Sequence, residues 1–291
     1  MFANWRVGRP FGIDVFVSGW FWLLPILIFA TSYADGGFDS ALFNTASLLA
    51  VFVCVGLHEL GHALAARGYG IPTRDITLYP IGGVARLERM PERPSAEIVI
   101  ALAGPAVNVV LAAVFGGLWF AGQAILGPSG TSAGWLSDFI GRLAIANVIL
   151  VAFNLIPAFP MDGGRVLRAA LSWFTNRETA TNAAGWVGTG FAVLFGLYGL
   201  GLFGSGSFNP MLVFLAVSLF LMGRQEVMAV RWQERQKRRQ AEWEAAEAEW
   251  RANRGWGSAG RVERDGWVFD ADAGEWVEYR DGWPVRRFRR S

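Results

Sequence analysis

Apolar residues fill roughly the first 230 positions of the chain, and charged residues dominate the last 60 or so. A helix needs about 20 mainly apolar residues to cross a bilayer. Six stretches meet this requirement, at residues 15–34, 41–66, 97–121, 136–156, 186–203 and 208–228. The pattern therefore predicts an all-α polytopic membrane protein with about six transmembrane helices over residues 1–228. Pro25 lies inside the first stretch and is expected to kink it.

The segment between the second and third spans has a different pattern. Residues 71–90, "IPTRDITLYPIGGVARLERM", mix β-branched residues with the pair Gly82 and Gly83. This composition predicts a small β-hairpin that turns at the two glycines. A plain turn without strands is an equally good interpretation.

The last part of the chain is predicted to form a small cytoplasmic α/β tail. Residues 229–254 are mostly strong helix formers and carry many charges, which predicts a charged helix. Residues 255–291 are rich in tryptophan, and alternating aromatic residues flank the turn sequence "DADAG". This pattern predicts a β-hairpin, and the tail is a candidate surface for an oligomeric or regulatory partner.

Arginine is distributed unevenly between the predicted loops. The loops near 35–40, 122–135 and 204–207 contain no Lys or Arg. The opposite segments hold Arg6, Arg9, Arg67, Arg74, Arg86, Arg89, Arg93, Arg165, Arg168, Arg177, Arg224 and Arg231. Basic loops stay on the cytoplasmic side. We therefore expect both termini in the cytoplasm.

Composition narrows the classes of function. With 53% hydrophobic residues, the chain is too apolar for an ordinary soluble protein. It has no basic module with interleaved aromatic residues, so we expect no nucleic-acid partner. The single Cys54 excludes an internal disulfide framework.

The second span carries the sequence "HELGH", with His58, Glu59 and His62. In a helix, residues four apart lie on one face, so both imidazoles can bind one Zn²⁺. Glu59 is well placed as a general base for a water at the metal. A chance match would have to explain two histidines and a glutamate inside an apolar span, where ionisable groups are costly and usually functional. These are also the only two histidines of the chain.

A catalytic zinc needs a third protein ligand and one open position. Asp162 is the best candidate, because it follows the fourth span at the same cytoplasmic depth as the histidines. It lies in "NLIPAFPMDGGR", residues 154–165, where Pro157 and Pro160 break the helix. An ordinary helix end is the alternative, but irregular backbone at membrane depth usually lines a cavity.

These motifs resemble the site-2 proteases, which are intramembrane zinc metalloproteases. The resemblance rests on "HELGH", on "NLIPAFPMDGG" and on "AGPAVN" at residues 103–108, and it covers roughly residues 15–230. It implies one Zn²⁺ per chain and Glu59 as the catalytic base. The implied zinc ligands are His58, His62 and Asp162, and the implied substrate-binding residues are Asn154, Pro157, Pro160, Asn108, Gly82 and Gly83. For Asn108, capping or helix packing is an equally good interpretation.

The resemblance also implies the reaction, its partners and a location in a bacterial inner (cytoplasmic) membrane. The substrates would be single-span membrane proteins in the bilayer, cleaved near the cytoplasmic side for regulation or to clear signal-peptide remnants. The predicted hairpin would receive an unwound substrate at its edge. Neither a PDZ domain between the motifs nor CBS domains after the last span are evident. A non-proteolytic zinc-binding protein or a transporter is the alternative, although a transporter would be expected to spread its buried charges along a path.

Overall fold

The computed structural model describes residues 4–91, 93–126, 134–203, 206, 208–254, 266–270, 275–280 and 283–289. The chain divides into two compact units, Met1–Met228 and Ala229–Ser291. The assignment of separate functions to residues 1–228, 229–254 and 255–291 stays a prediction.

The chain is mostly helical. Its helices are α1 Leu23–Gly68, α2 Pro94–Leu126, α3 Trp135–Asn154, α4 Asp162–Leu171, α5 Arg177–Gly199 and α6 Pro210–Arg254. Within the described residues, four segments are long and apolar enough to cross a membrane. They are Gly19–Gly68, Pro94–Ile125, Trp135–Asn154 and Pro210–Ala248. The prediction of a mostly helical polytopic membrane protein is thus confirmed. The number of six spans is not confirmed.

The first of the four segments contains most of the first predicted span and all of the second. α1 has 46 residues, which at 1.5 Å per residue is about 69 Å, more than twice the thickness of a bilayer core. The helix is interrupted at Gly37, whose φ of 74° and ψ of −170° are not helical. Glycine adopts such a positive φ without steric cost, so α1 consists of two apolar helices that meet at this residue.

The start of the first predicted span was wrong. Residues Asp14–Val17 form a strand, and α1 begins only at Leu23. Pro25 therefore falls in the first turn of the helix, where a missing N–H costs nothing, and it causes no kink. α5 forms a helix near the fifth predicted span, but polar residues and glycines make it less apolar than the four segments above.

A four-stranded sheet packs against α1. Its strands are β1 Trp5–Gly8, β2 Asp14–Val17, β3 Thr73–Tyr79 and β4 Gly82–Leu87, in the order β1-β2-β3-β4. β2 and β3 are parallel, and the other two pairs are antiparallel. The sheet therefore has β4 at one edge. Ile13, Leu60, Ala63 and Ile76 form the buried cluster between the sheet and α1.

The hairpin predicted at residues 71–90 is present, but its turn was misplaced. Gly82 pairs with Tyr79, and Gly83 pairs with Leu78. The chain turns at residues 80–81, so the two glycines begin β4. The turn signal of a Gly-Gly pair is overridden here because β4 passes very close to α1 at Gly83.

The second unit contains a three-stranded antiparallel sheet. Its strands are β5 Gly266–Asp270, β6 Glu275–Arg280 and β7 Trp283–Arg289, in the order β5-β6-β7. β5 and β6 form the predicted hairpin, and β7 adds a third strand. Trp276 packs against Trp243 and Phe269, with ring centroids 5.7 and 5.3 Å apart. Residues 271–274 of the "DADAG" turn and residues 255–265 lie outside the described residues.

Candidate active site

The structure brings together the three side chains proposed as zinc ligands. His58 and His62 lie on α1, and Asp162 is the first residue of α4. All three are buried. The Nε2 atoms of the two imidazoles are 3.0 Å apart, and each lies 3.2 Å from Oδ2 of Asp162. Three lone-pair atoms thus converge on one point.

This geometry fits a zinc ion. Zn–N and Zn–O bonds of about 2.0–2.1 Å in a tetrahedron place ligand atoms about 3.3 Å apart, close to the separations seen here. Two neutral imidazoles and a carboxylate are also the donor set of a catalytic site that keeps one position open. These three atoms are sufficient as the protein ligands of such a site.

Gly104 of α2 leaves space beside these atoms. A Cβ atom at this position would lie 2.3 Å from Nε2 of His62 and 2.7 Å from Nε2 of His58. Any other residue would therefore push into the donor atoms. The space next to the imidazoles exists because the "AGPAVN" segment has glycine at this point.

The opposite nitrogen of each imidazole is held by a hydrogen-bond acceptor. Nδ1 of His58 lies 2.5 Å from Oδ1 of Asn108, and Nδ1 of His62 lies 2.7 Å from the carbonyl oxygen of Ile100. A proton on each Nδ1 leaves the Nε2 lone pair free for a metal. Asn108 is completely buried, and its amide nitrogen donates to Oδ1 of Asn147. Both ends of the Asn108 amide are thus engaged inside the protein.

Glu59 faces the edge of the four-stranded sheet. Its half-buried carboxylate accepts a hydrogen bond from the backbone N–H of Ala85, with Oε2 2.9 Å from the nitrogen. A Cβ atom at Gly83 would lie 2.5 Å from Cγ of Glu59. β4 therefore contacts the Glu59 side chain at two points, and glycine at residue 83 is required for this approach.

The segment between α3 and α4 packs tightly around the start of α4. A Cβ atom at Gly163 would lie 2.3 Å from the carbonyl oxygen of Ile156, and one at Gly164 would lie 2.5 Å from the carbonyl carbon of Ala158. Both residues are in the helix. The two glycines are thus needed for close packing, and their conformational freedom is not used.

The remaining predicted substrate residues lie along the same segment and in β4. Asn154 ends α3, and its side-chain amide donates to the carbonyl of Leu150. Pro157 is exposed, and Pro160 and Gly82 are partly buried. Their role in substrate binding stays a prediction.

A buried charge network holds the other end of α4. Nε of Arg168 donates to Oε1 of Glu97 at 2.7 Å, and Nη1 lies 3.4 Å from Oε1 of Glu226. Arg177 adds a second partner, 3.3 Å from Oε2 of Glu97. Burial is the main influence on the pKa of Arg168 and lowers it, while the carboxylates of Glu97 and Glu226 oppose that shift. The network joins α2, α4, α5 and α6.

Four contributors to the site were not predicted. The carbonyl of Ile100, Gly104, Asn147 and the N–H of Ala85 all contact residues far away in sequence. For Asn147, the available signal was a polar amide inside an apolar span, which usually has a buried partner. For Gly104, the signal was its place in the "AGPAVN" motif.

Several known proteins are similar to this chain in sequence. Residues 46–197 match peptidase family M50. A putative zinc metalloprotease of Synechocystis is 36% identical over 224 residues, which are 72% of this chain and 56% of the relative. A zinc metalloprotease of Methanocaldococcus jannaschii is 32% identical over 226 residues, which are 77% of this chain and 61% of the relative. The chain thus spans less than two thirds of the length of these curated relatives.

The fold is also similar to a solved structure. The site-2 protease from Methanocaldococcus jannaschii superposes with a TM-score of 0.57 at 31% sequence identity. The match covers 77% of this chain and 95% of that protease. With its apolar helices, the chain is an integral membrane protein. Because the family match covers over half of the chain and the structural match covers nearly all of a site-2 protease, the chain belongs to peptidase family M50, the site-2 protease family.

Proposed function

We propose that this chain is an intramembrane zinc metalloendopeptidase. The observation that carries the proposal is the convergence of Nε2 of His58, Nε2 of His62 and Oδ2 of Asp162 beside Glu59. The relatives named zinc metalloproteases support zinc as the ion. The burial of the three donors supports a single closed site, in contrast to charges spread along a transport path.

In this proposal each residue has a distinct role. His58, His62 and Asp162 hold the ion, which supplies Lewis-acid activation of water and of the scissile carbonyl. Glu59 takes the proton from the attacking water and later transfers it to the nitrogen of the leaving amine. The N–H of Ala85 orients the Glu59 carboxylate before the substrate arrives.

The proposed substrates are single-span membrane proteins, cleaved near the cytoplasmic side. Arg67, an exposed residue five positions beyond His62, supports a site close to the cytoplasmic exit of α1. A helical substrate hides its carbonyls in i→i−4 hydrogen bonds and must be extended before attack. β4 is an edge strand that lies beside Glu59, and its backbone groups other than the Ala85 N–H would pair with such a strand. Asn154, Pro157 and Pro160 would contact the extended segment.

We further propose six membrane crossings with both termini in the cytoplasm of a bacterial cell. The break of α1 at Gly37 supports two crossings in this helix. α5 supplies the fifth crossing, since its 23 residues are long enough to span a bilayer core. The function in the cell would be regulated proteolysis or removal of signal-peptide remnants.

The test compares purified wild-type protein with Glu59→Gln. Zinc content is measured by atomic absorption, and cleavage of a single-span substrate is measured in proteoliposomes. We expect one zinc per chain in both proteins, since Glu59 is not a proposed ligand. Cleavage by the variant should fall by about 10²–10⁴-fold, which is the usual contribution of a general base.

Glu88→Gln is the matched control, because Glu88 is exposed and follows β4 directly. It should retain both zinc and activity. Equal cleavage by Glu59→Gln and wild type would overturn the role of the base. Full zinc content in Asp162→Ala would remove Asp162 as a ligand. Wild-type protein that binds zinc but cleaves nothing would favour the non-proteolytic alternative.

A further inference from the structure

Asn147 lies on α3 and contacts neither Glu59 nor a proposed zinc ligand directly, yet its amide is completely buried. Its nitrogen donates to the carbonyl of Leu143 at 2.8 Å, and its Oδ1 accepts from the amide nitrogen of Asn108 at 2.7 Å. Asn108 in turn contacts Nδ1 of His58. Three membrane helices are thus connected through one line of hydrogen bonds.

We propose that Asn147 is a positioning residue that keeps the Nε2 lone pair of His58 directed at the metal. The inference rests on the proposed function, because it takes His58 as a zinc ligand. It assigns a role to a residue outside the site-2 protease motifs named above.

The direction of every hydrogen bond in this line follows from the first bond, which Asn147 donates to the carbonyl of Leu143. A carbonyl can only accept, so the Leu143 carbonyl requires the NH₂ group of Asn147 to face it. Oδ1 of Asn147 then faces α2, and it requires the NH₂ group of Asn108. Oδ1 of Asn108 is left to face His58, where it can only accept.

This last contact selects the tautomer of His58. An acceptor at 2.5 Å requires the proton on Nδ1, so the lone pair is on Nε2, which points towards Asp162 and His62. If Asn108 turned over, its NH₂ group would favour the other tautomer, with a proton on Nε2, and that nitrogen could not bind zinc. Asn147 is what prevents this rotation.

His62 provides an internal comparison. Its Nδ1 is held by the backbone carbonyl of Ile100, which cannot turn over. Removing the amide of Asn147 should therefore affect His58 and leave His62 unchanged. A general loosening of the helix bundle would affect both imidazoles.

The experiment uses Asn147→Leu, which has similar volume but no hydrogen-bonding groups. Zinc affinity is measured by competition with a chromogenic chelator in the full-length protein. We expect it to fall by about 10–100-fold, the usual effect of losing an outer hydrogen bond to a metal-bound histidine. Asn147→Asp in its neutral form can accept from Asn108 and donate to Leu143, so its affinity should stay close to wild type.

A second measurement reads the imidazoles directly. The chain has two histidines, so zinc-loaded protein labelled with ¹⁵N-histidine gives one Nδ1–H signal for each. In Asn147→Leu, the His58 proton should lose its downfield, hydrogen-bonded shift and exchange faster with water. The His62 signal should not change.

Leu143→Ala is the control for packing, because it removes buried side-chain atoms from α3 but keeps the carbonyl that starts the line. An equal loss of zinc affinity in Leu143→Ala would overturn the proposal, as would an unchanged His58 signal with unchanged affinity in Asn147→Leu. If Asn147→Leu does not accumulate, Asn147→Ser provides the same comparison, since its hydroxyl is too short to reach Asn108. Failure of the wild type to bind zinc would instead refute the proposed function.

Discussion

At the scale of single residues, the space for the metal depends on the absence of a side chain at Gly104 of α2. The two imidazoles approach the backbone of α2 so closely that a Cβ atom there would lie 2.3 Å from one Nε2. The donors are therefore held from three directions: by α1, by the start of α4 and by the bare backbone of α2. A glycine inside a helix normally destabilises it by about 1 kcal/mol relative to alanine, so its presence here has a steric reason.

We predict that Gly104→Ala will weaken zinc binding by at least about tenfold, the lower end of what changes around metal ligands cost. The added methyl group displaces the imidazoles while the ligands themselves remain. Zinc affinity measured by chelator competition tests this. Gly117→Ala on the same helix is the matched control, because no atom lies within 4 Å of its added Cβ. Equal zinc affinity in the two variants would contradict the steric explanation.

The candidate zinc ligands could be predicted from the sequence, but the residues that hold them in place could not. His58 and His62 share a helix face by spacing alone, and Asp162 follows a broken helix at matching depth. In contrast, the partners Asn147 and Gly104 reach the site through contacts between different helices. Such contacts depend on helix rotation and crossing, which no local pattern encodes.

At the scale of elements, α4 is a short helix whose first residue is a proposed ligand and whose far end carries the buried Arg168. Arg168 is only 2% exposed and Glu97 only 4% exposed. Because a buried charge is costly without its partner, the pair determines where α4 sits against α2. The position of Asp162 follows from this placement.

We predict that Glu97→Gln will lower the free energy of unfolding by about 3–5 kcal/mol, the usual cost of breaking a buried ion pair. The variant leaves Arg168 with the longer contact to Glu226 and removes the charge partner of Arg177. Unfolding by titration with a denaturing detergent measures the change. The exposed Glu88→Gln should have little effect, and an equally small effect of Glu97→Gln would show that the network does not hold α4.

The elements also show where local patterns were insufficient. The long apolar helices α1, α2, α3 and α6 followed from apolar runs of about 20 residues. The short helix α4, Asp162–Leu171, was not predicted because it has no such run. β1 and β2 were missed because each has four residues, and β2 pairs in parallel with β3 about 60 residues later in the chain. The Gly82–Gly83 pair looked like a turn, but close contact with Glu59 explains the glycine at residue 83.

At the scale of the whole molecule, the number of crossings decides on which side of the membrane the C-terminus lies. If α1 crosses twice and α2, α3 and α6 cross once each, α5 determines whether the C-terminus returns to the cytoplasm. A crossing by α5 would place residues 200–203 outside and the C-terminus inside. Without that crossing, α6 would start in the cytoplasm and the C-terminus would lie outside.

We predict six crossings, and single cysteines in a Cys54→Ala background test this with a membrane-impermeant maleimide on intact cells. Phe38, Phe174 and Phe203 are exposed residues beside the break in α1, after α4 and after α5. Phe38→Cys and Phe203→Cys should react from outside, whereas Phe174→Cys should react only after the membrane is permeabilised. Labelling of Phe203→Cys only after permeabilisation would show that α5 does not cross.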